Sequence, residues 1–274
     1  MKKVFLVVLL MSFVVISFST KLIIKGSNTI FPIAQLWIEE LKKVKPDLEI
    51  TLEGAGSSTG IAALFNGTTD IANASRFLKE KEIKKMNEEN KYFAPIVIAY
   101  DGIAIIVNPK LKIDNISLET LKNIYTGKIR TWNQVNPNLP KKRIVIYSRN
   151  TASGTYETFE KKVLNKERMA STVKMVESTQ FEIEQVSRNP YAIAYVGVGY
   201  VTNSVKVLTV ENIHPTKLNI LNAKYPISRP LYMFIDVTNG WPESGVIKEY
   251  ITFGLSKKGQ ELAEKAGYIA AYGF

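Results

Sequence analysis

Gly54-Ala55-Gly56-Ser57-Ser58-Thr59-Gly60 separates two kinds of sequence. Before it, Leu48-Glu49-Ile50-Thr51-Leu52 alternates apolar and polar residues like a half-buried strand. After it, 61–65 is wholly apolar and is closed by Asn66-Gly67, a helix stop. The order strand, small-residue turn, helix recurs upstream. Leu22-Ile23-Ile24 leads into Gly26-Ser27-Asn28-Thr29, and a segment apolar at Ile33, Leu36, Trp37, Leu41 and Val44 starts at Pro32. It recurs again far downstream, where Ile144-Val145-Ile146-Tyr147 precedes the loop 148–155 and a helix carrying Tyr156, Phe159, Val163 and Leu164.

The intervening chain keeps the alternation. Strands are predicted at 70–74, 96–107, 192–196 and 229–236, and helices at 79–90, 117–126, 181–188, 245–253 and 257–266, with Gly127 as a stop and Gly102 inside the longest strand. Such a sequence is α/β, with mainly parallel sheets and with the loops at strand C-termini facing a ligand. No fixed repeat and no Ser/Gly linker appears, so 274 residues are expected to form two lobes joined by chain crossings.

Composition narrows the chemistry. Lys and Arg number 36 against 25 Asp and Glu, a net charge of +11 that favours anionic partners. The Lys pairs at 42–43, 84–85, 141–142, 161–162 and 257–258 are scattered, whereas a nucleic-acid surface would concentrate them. With no Cys and one His, disulfide scaffolds, His-clustered or Cys-containing metal sites and Cys nucleophiles are excluded. No Walker loop is present, because Gly127-Lys128 lacks the earlier Gly and the following Ser or Thr.

Met1-Lys2-Lys3, the apolar run 4–18 and Ser17-Phe18-Ser19 form a secretory leader with cleavage expected near Ser19. The run is shorter than the ~20 residues that span a bilayer, and no Cys follows it for lipid attachment. Losing Lys2 and Lys3 takes the charge from +11 to +9.

Three turns carry the functional signal: 26–30, 56–60 and 153–155. Each offers backbone N–H groups, hydroxyls and the positive end of a helix, the combination that binds an anion. Arg149 follows the strand at 144–147 and is expected to project into the same crevice as a planar, bidentate donor. Gly56 to Gly60 also satisfies G-x-S-x-G in strand-turn-helix context. A hydrolase using Ser58, Asp101 and the single His214 is therefore a competing reading, although His214-Pro215 sits in a polar stretch.

In order and spacing, Gly26-Ser27-Asn28-Thr29-Ile30-Phe31-Pro32, Gly54 to Gly60, Ala74-Ser75-Arg76, Asp101-Gly102-Ile103, 124–129 with Trp132, 148–155 and 192–197 resemble the periplasmic phosphate-binding proteins of the high-affinity phosphate ABC transporter. The resemblance spans the chain beyond the leader. It implies a two-lobed periplasmic-binding-protein fold of type II, with the ligand in the cleft between the lobes. It also implies capture of inorganic phosphate for an ABC permease, with no enzyme activity, cofactor, metal or nucleic acid, by a monomer outside the cytoplasm. Carried over by residue, Thr29 and Ile30, Ser57 and Ser58, and Arg149, Ser153, Gly154 and Thr155 would hold the anion, with Ser27 added by proximity. Sulfate or molybdate is the alternative within the same class.

One position departs from the family. Many members place an acidic residue after the Ala-Ser pair, to accept the proton of hydrogen phosphate, where this chain has Arg76. Asp101 is expected to take that acceptor role, and Arg76 either touches the anion or pairs with an acid such as Glu80. The lobes are expected at 20–99 with 228–274, and at 100–227, after a leader at 1–19.

Overall fold

The computed structural model describes residues 21–273, so the leader and its cleavage near Ser19 lie outside the described residues. The elements run β1 (Lys21–Gly26), α1 (Phe31–Val44), β2 (Glu49–Gly54), α2 (Ser57–Phe65), β3 (Ile71–Ala74), α3 (Glu80–Glu88), β4 (Phe93–Val107), β5 (Asn115–Ile116), α4 (Leu118–Tyr125), α5 (Trp132–Val135) and β6 (Val145–Arg149). They continue with α6 (Gly154–Lys162), β7 (Lys174–Val176), α7 (Thr179–Arg188), β8 (Ala192–Gly197), β9 (Lys206–Val210), α8 (Lys217–Leu221), β10 (Ser228–Asp236), α9 (Gly245–Leu255), α10 (Lys257–Lys265) and β11 (Ile269–Ala270).

β4 organises the molecule because it serves both halves. Its residues Phe93 to Gly102 pair antiparallel with β10, whereas Ile103 to Val107 pair with β8 and, in part, β9. On one side of this switch the strands run β2-β1-β3-β10-β4, and on the other β4-β8-β6-β7. β10 carries the chain back beside β4, with Arg229 opposite Asp101 and Ser228 opposite Gly102.

The expectation of mainly parallel sheets is corrected here. Pairs β1–β2, β1–β3, β5–β9, β6–β7 and β6–β8 are parallel, but β10–β3, β10–β4, β11–β4, β4–β8 and β4–β9 are antiparallel. The reason is topological. A chain that leaves one lobe and returns to it must cross in opposite directions, so adjacent crossing strands run antiparallel.

Each half has its own apolar centre. Leu22 and Ile24 project from alternate positions of β1 against Trp37 of α1, and Trp37 meets Tyr250 of α9 edge to face at 5.7 Å. The Trp37 indole N–H donates to the Gly259 carbonyl at 2.7 Å, which joins α10 to the same core. In the other half, Phe159 of α6 stacks on Tyr195 of β8 at 4.0 Å, with Tyr125 and Trp132 buried beside them. Truncating one such buried aromatic costs about 3 to 5 kcal/mol. Because these cores anchor β1, β2 and β6 rigidly, the turns that follow those strands are fixed in space.

Candidate functional site

The three small-residue turns converge. α1 starts after Ser27 and Thr29, α2 at Ser57 and α6 at Gly154. As first helical residues, Ser57 and Gly154 have N–H groups without acceptors in their own helices. Ser153 caps α6, its hydroxyl accepting from the N–H groups of Thr155 and Tyr156 at 3.2 and 3.3 Å.

Contacts between the turns cross from one half to the other. Thr29 Oγ1 lies 2.9 Å from Thr155 Oγ1, and the Ser58 N–H donates to the Ala152 carbonyl at 3.0 Å. Gly56 takes φ of +117°, a conformation glycine adopts readily, and a Cβ there would lie 2.7 Å from the Ala152 carbonyl oxygen. A Cβ on Gly154 would lie 2.5 Å from Ser57 Oγ and 2.6 Å from Ser75 Oγ. Small residues are thus required where the halves touch.

Ser27, Thr29, Ile30, Ser57, Asp101, Arg149, Ser153 and Thr155 are all buried. Ser57 Oγ accepts from the Ser75 N–H at 3.0 Å, which ties the turn after β3 to the start of α2. The Ser27 N–H donates to the Asn73 carbonyl at 2.8 Å. The Thr29 carbonyl is held by the Tyr268 hydroxyl at 2.6 Å, and the Asn28 carbonyl by Tyr200 at 2.7 Å.

Asp101 lies where β4 passes between the halves. Its Oδ2 accepts from Arg229 Nε at 3.0 Å and Nη2 at 2.8 Å, and its Oδ1 from the Val198 N–H at 3.0 Å. Burial raises its pKa above the ordinary value, opposed by Arg229 and these donors. To accept a ligand proton, Asp101 must share an oxygen with these donors. Arg229 Nη2 extends to Thr155 Oγ1 at 3.0 Å and Thr29 Oγ1 at 3.4 Å, so one guanidinium orients hydroxyls from both halves.

Arg149 is buried at the end of β6. Its Nη1 donates to Thr179 Oγ1 at 2.8 Å and its Nη2 to the Glu177 carbonyl at 2.5 Å, while Nε is without a protein acceptor. Burial lowers its pKa, opposed first by Glu182.

Ser58 is engaged differently from Ser57. Its hydroxyl donates to Glu157 Oε1 at 3.0 Å and accepts from Arg76 Nη2 at 3.0 Å. Arg76 pairs with Glu82 through two 2.8 Å contacts, two residues beyond Glu80, the acid offered as an example. Its Nε lies 2.6 Å from Glu157 Oε2, an ion pair rather than an aligned hydrogen bond. Lys79 Nζ reaches Glu157 Oε1 at 2.5 Å. His214 is exposed in the loop before α8, where its carbonyl accepts from Thr216 N–H at 2.8 Å and the Asn219 side-chain amide at 3.0 Å. The hydroxyl of Ser58 is therefore committed to Glu157 and Arg76.

Sequence reading assigned no role to Arg229, Glu157, Thr179 and Glu182, and quoted Ser75 only within a motif. A signal existed for Arg229, since it sits at the expected return crossing, across from the first. Glu157 and Glu182 read as ordinary helix acids. A surface hollow of about 1040 Å³, lined by Lys21, Asp47 and Glu249 among others, shares no residue with the turns.

A model of the PBP superfamily domain matches residues 17–258. The phosphate-binding protein PstS of Staphylococcus aureus strain USA300 is 34% identical over 255 residues, covering 90% of this chain and 77% of the relative. PstS of Borreliella burgdorferi is 34% identical over 262 residues, covering 90% and 88%. A Clostridium perfringens structure, assigned as a phosphate ABC transporter substrate-binding protein and solved with bound phosphate, superposes with a TM-score of 0.84 at 32% identity, covering 92% of this chain and 100% of that one.

Proposed function

The chain belongs to the PstS phosphate-binding proteins within the PBP superfamily, and on that premise we propose that it is an extracytoplasmic solute-binding protein that captures inorganic phosphate for an ABC importer. The observation that carries the reading is the convergence of three helix starts from both halves of the molecule, the third following the strand that ends at buried Arg149. Backbone N–H groups and hydroxyls there complement a small tetrahedral anion without any change of its bonds.

In this reading Thr29, Ile30, Ser57, Ser58, Ser153, Gly154, Thr155 and Arg149 form the cage, with Ser27 beneath it and Asp101 facing the ligand's proton. The lobes are 20–99 with 228–274, and 100–227; the switch of β4 partners between Gly102 and Ile103 supports this division. Closure of the lobes excludes water and strengthens each contact. It also gives a permease a shape that differs between loaded and empty protein. The protein acts as a monomer after removal of its leader and has no catalytic role.

Calorimetry with phosphate, sulfate and molybdate tests this. Phosphate is expected to bind far more tightly than sulfate, with no turnover of a chromogenic phosphate ester. Equal affinity for the three anions, or ester hydrolysis, would overturn the assignment. Asp101→Asn is expected to lower the preference for phosphate over sulfate, because a proton acceptor is what separates the two anions.

A further inference from the structure

Glu182 is the one fully buried carboxylate among the described residues whose two oxygens both lack a hydrogen-bond partner. It lies on α7 three residues after Thr179, so the two side chains share a helix face. Thr179 Oγ1 accepts from Arg149 Nη1, and the Glu177 carbonyl just before the helix accepts from Nη2. The guanidinium is thus seated on the first turn of α7, with the Glu182 carboxyl one turn farther along and not bonded to it.

The surroundings of Glu182 supply little else. Arg149 of β6 is the positive charge that acts on it, while the phenols of Tyr195 on β8 and Tyr125 on α4 stand close enough for repulsion in their ionised forms. Those phenols are held by Ser148 and by the Tyr147 carbonyl, at 2.7 and 3.1 Å. Arg149 itself also feels Tyr200 and the second guanidinium, Arg229. An ionised Glu182 therefore depends on Arg149 alone. Burial pushes its carboxyl well above the ordinary value of 4.5, with Arg149 opposing.

This inference rests on the phosphate-binding reading and deepens it. We propose that an oxyanion bound against Arg149 takes over that cation, and that Glu182 responds by taking up one proton from solvent. The step balances simply: a solvent proton joins a Glu182 oxygen, an O–H bond forms, and no other bond changes. In the empty protein Arg149 is the one charge that favours the ionised form of Glu182. In the loaded protein the anion adds a like charge and Arg149 is shared, so the neutral acid becomes the favoured form. Glu182 thus acts as a positioning residue for Arg149 and couples phosphate retention to pH.

The test compares wild-type protein with Glu182→Gln by calorimetry in two buffers of different ionisation enthalpy, at a series of pH values. Phosphate's own protonation is common to both proteins and cancels in the difference. Wild type is expected to take up as much as about one proton more than the variant on binding. Where Glu182 is ionised before binding, wild-type affinity should fall relative to the variant by up to about tenfold per pH unit. Equal proton uptake together with parallel pH profiles would overturn the proposal, whereas failure of both proteins to bind phosphate would overturn the function on which it rests. Should the variant not fold, infrared difference spectra of the wild type decide. Phosphate is expected to raise a C=O band of a protonated acid free of hydrogen bonds, distinct from the heavily bonded Asp101; its absence would overturn the proposal.

Discussion

Two buried arginines stand at the junction of the halves with opposite arrangements around them. Arg229 is saturated: Asp101 accepts two of its N–H groups, and the Ser75 carbonyl and Thr155 hydroxyl accept others. Arg149 touches a neutral hydroxyl and a neutral carbonyl, and the carboxylate whose charge acts on it, Glu182, is not bonded to it. A buried guanidinium with a bonded counter-ion is structural, because its charge is already answered within the protein. One whose counter-ion is held back keeps its charge for a ligand. Position in the fold thus assigns different work to the same side chain.

The largest effect should come from breaking the saturated pair. Asp101→Asn leaves Arg229 buried without its counter-charge and is expected to cost about 3 to 5 kcal/mol in urea unfolding, while Asp101→Asn combined with Arg229→Met should cost less than the two single changes together. If the single variant were as stable as wild type, the contrast between the arginines would fail. Arg149→Lys sharpens the other side. It keeps a charge but loses the planar fork, so phosphate affinity should drop about 100-fold by calorimetry with little change in the unfolding midpoint. A similar drop from Arg229→Lys with no loss of stability would reverse the roles.

The smallest expected effect lies at Glu157, which binds Ser58, Arg76 and Lys79 of the opposite half while itself only partly exposed. These ties cross between the halves at the edge of the proposed anion cage, which they reach through Ser58. Glu157→Gln is expected to speed phosphate release about three- to tenfold in stopped-flow measurements and to leave association nearly unchanged. An unchanged release rate would mean that these ion pairs do not hold the closed form.

Much of this was legible in the chain. Alternation in 48–52 and the apolar run 61–65 announce β2 and α2, and the three small-residue turns announce the starts of α1, α2 and α6, because capping, glycine conformation and apolar period act over a few neighbours. Direction of pairing was less legible: β4 and β10 are antiparallel because the chain must return, a property of the whole path.

The sequence by itself determined the α/β class, the run of hydroxyl-rich helix starts, and the exclusion of Cys chemistry and His-clustered metal sites. Only the tertiary structure decided that Asp101 meets Arg229 across 128 residues, that Arg76 turns to Glu82 and Glu157, and that Glu182 lies unbonded beside the Arg149 helix turn. The physical reason is range. Helices and turns follow from neighbours a few positions apart, whereas charge pairing depends on which side chains the completed fold brings within about 3 Å and shields from water.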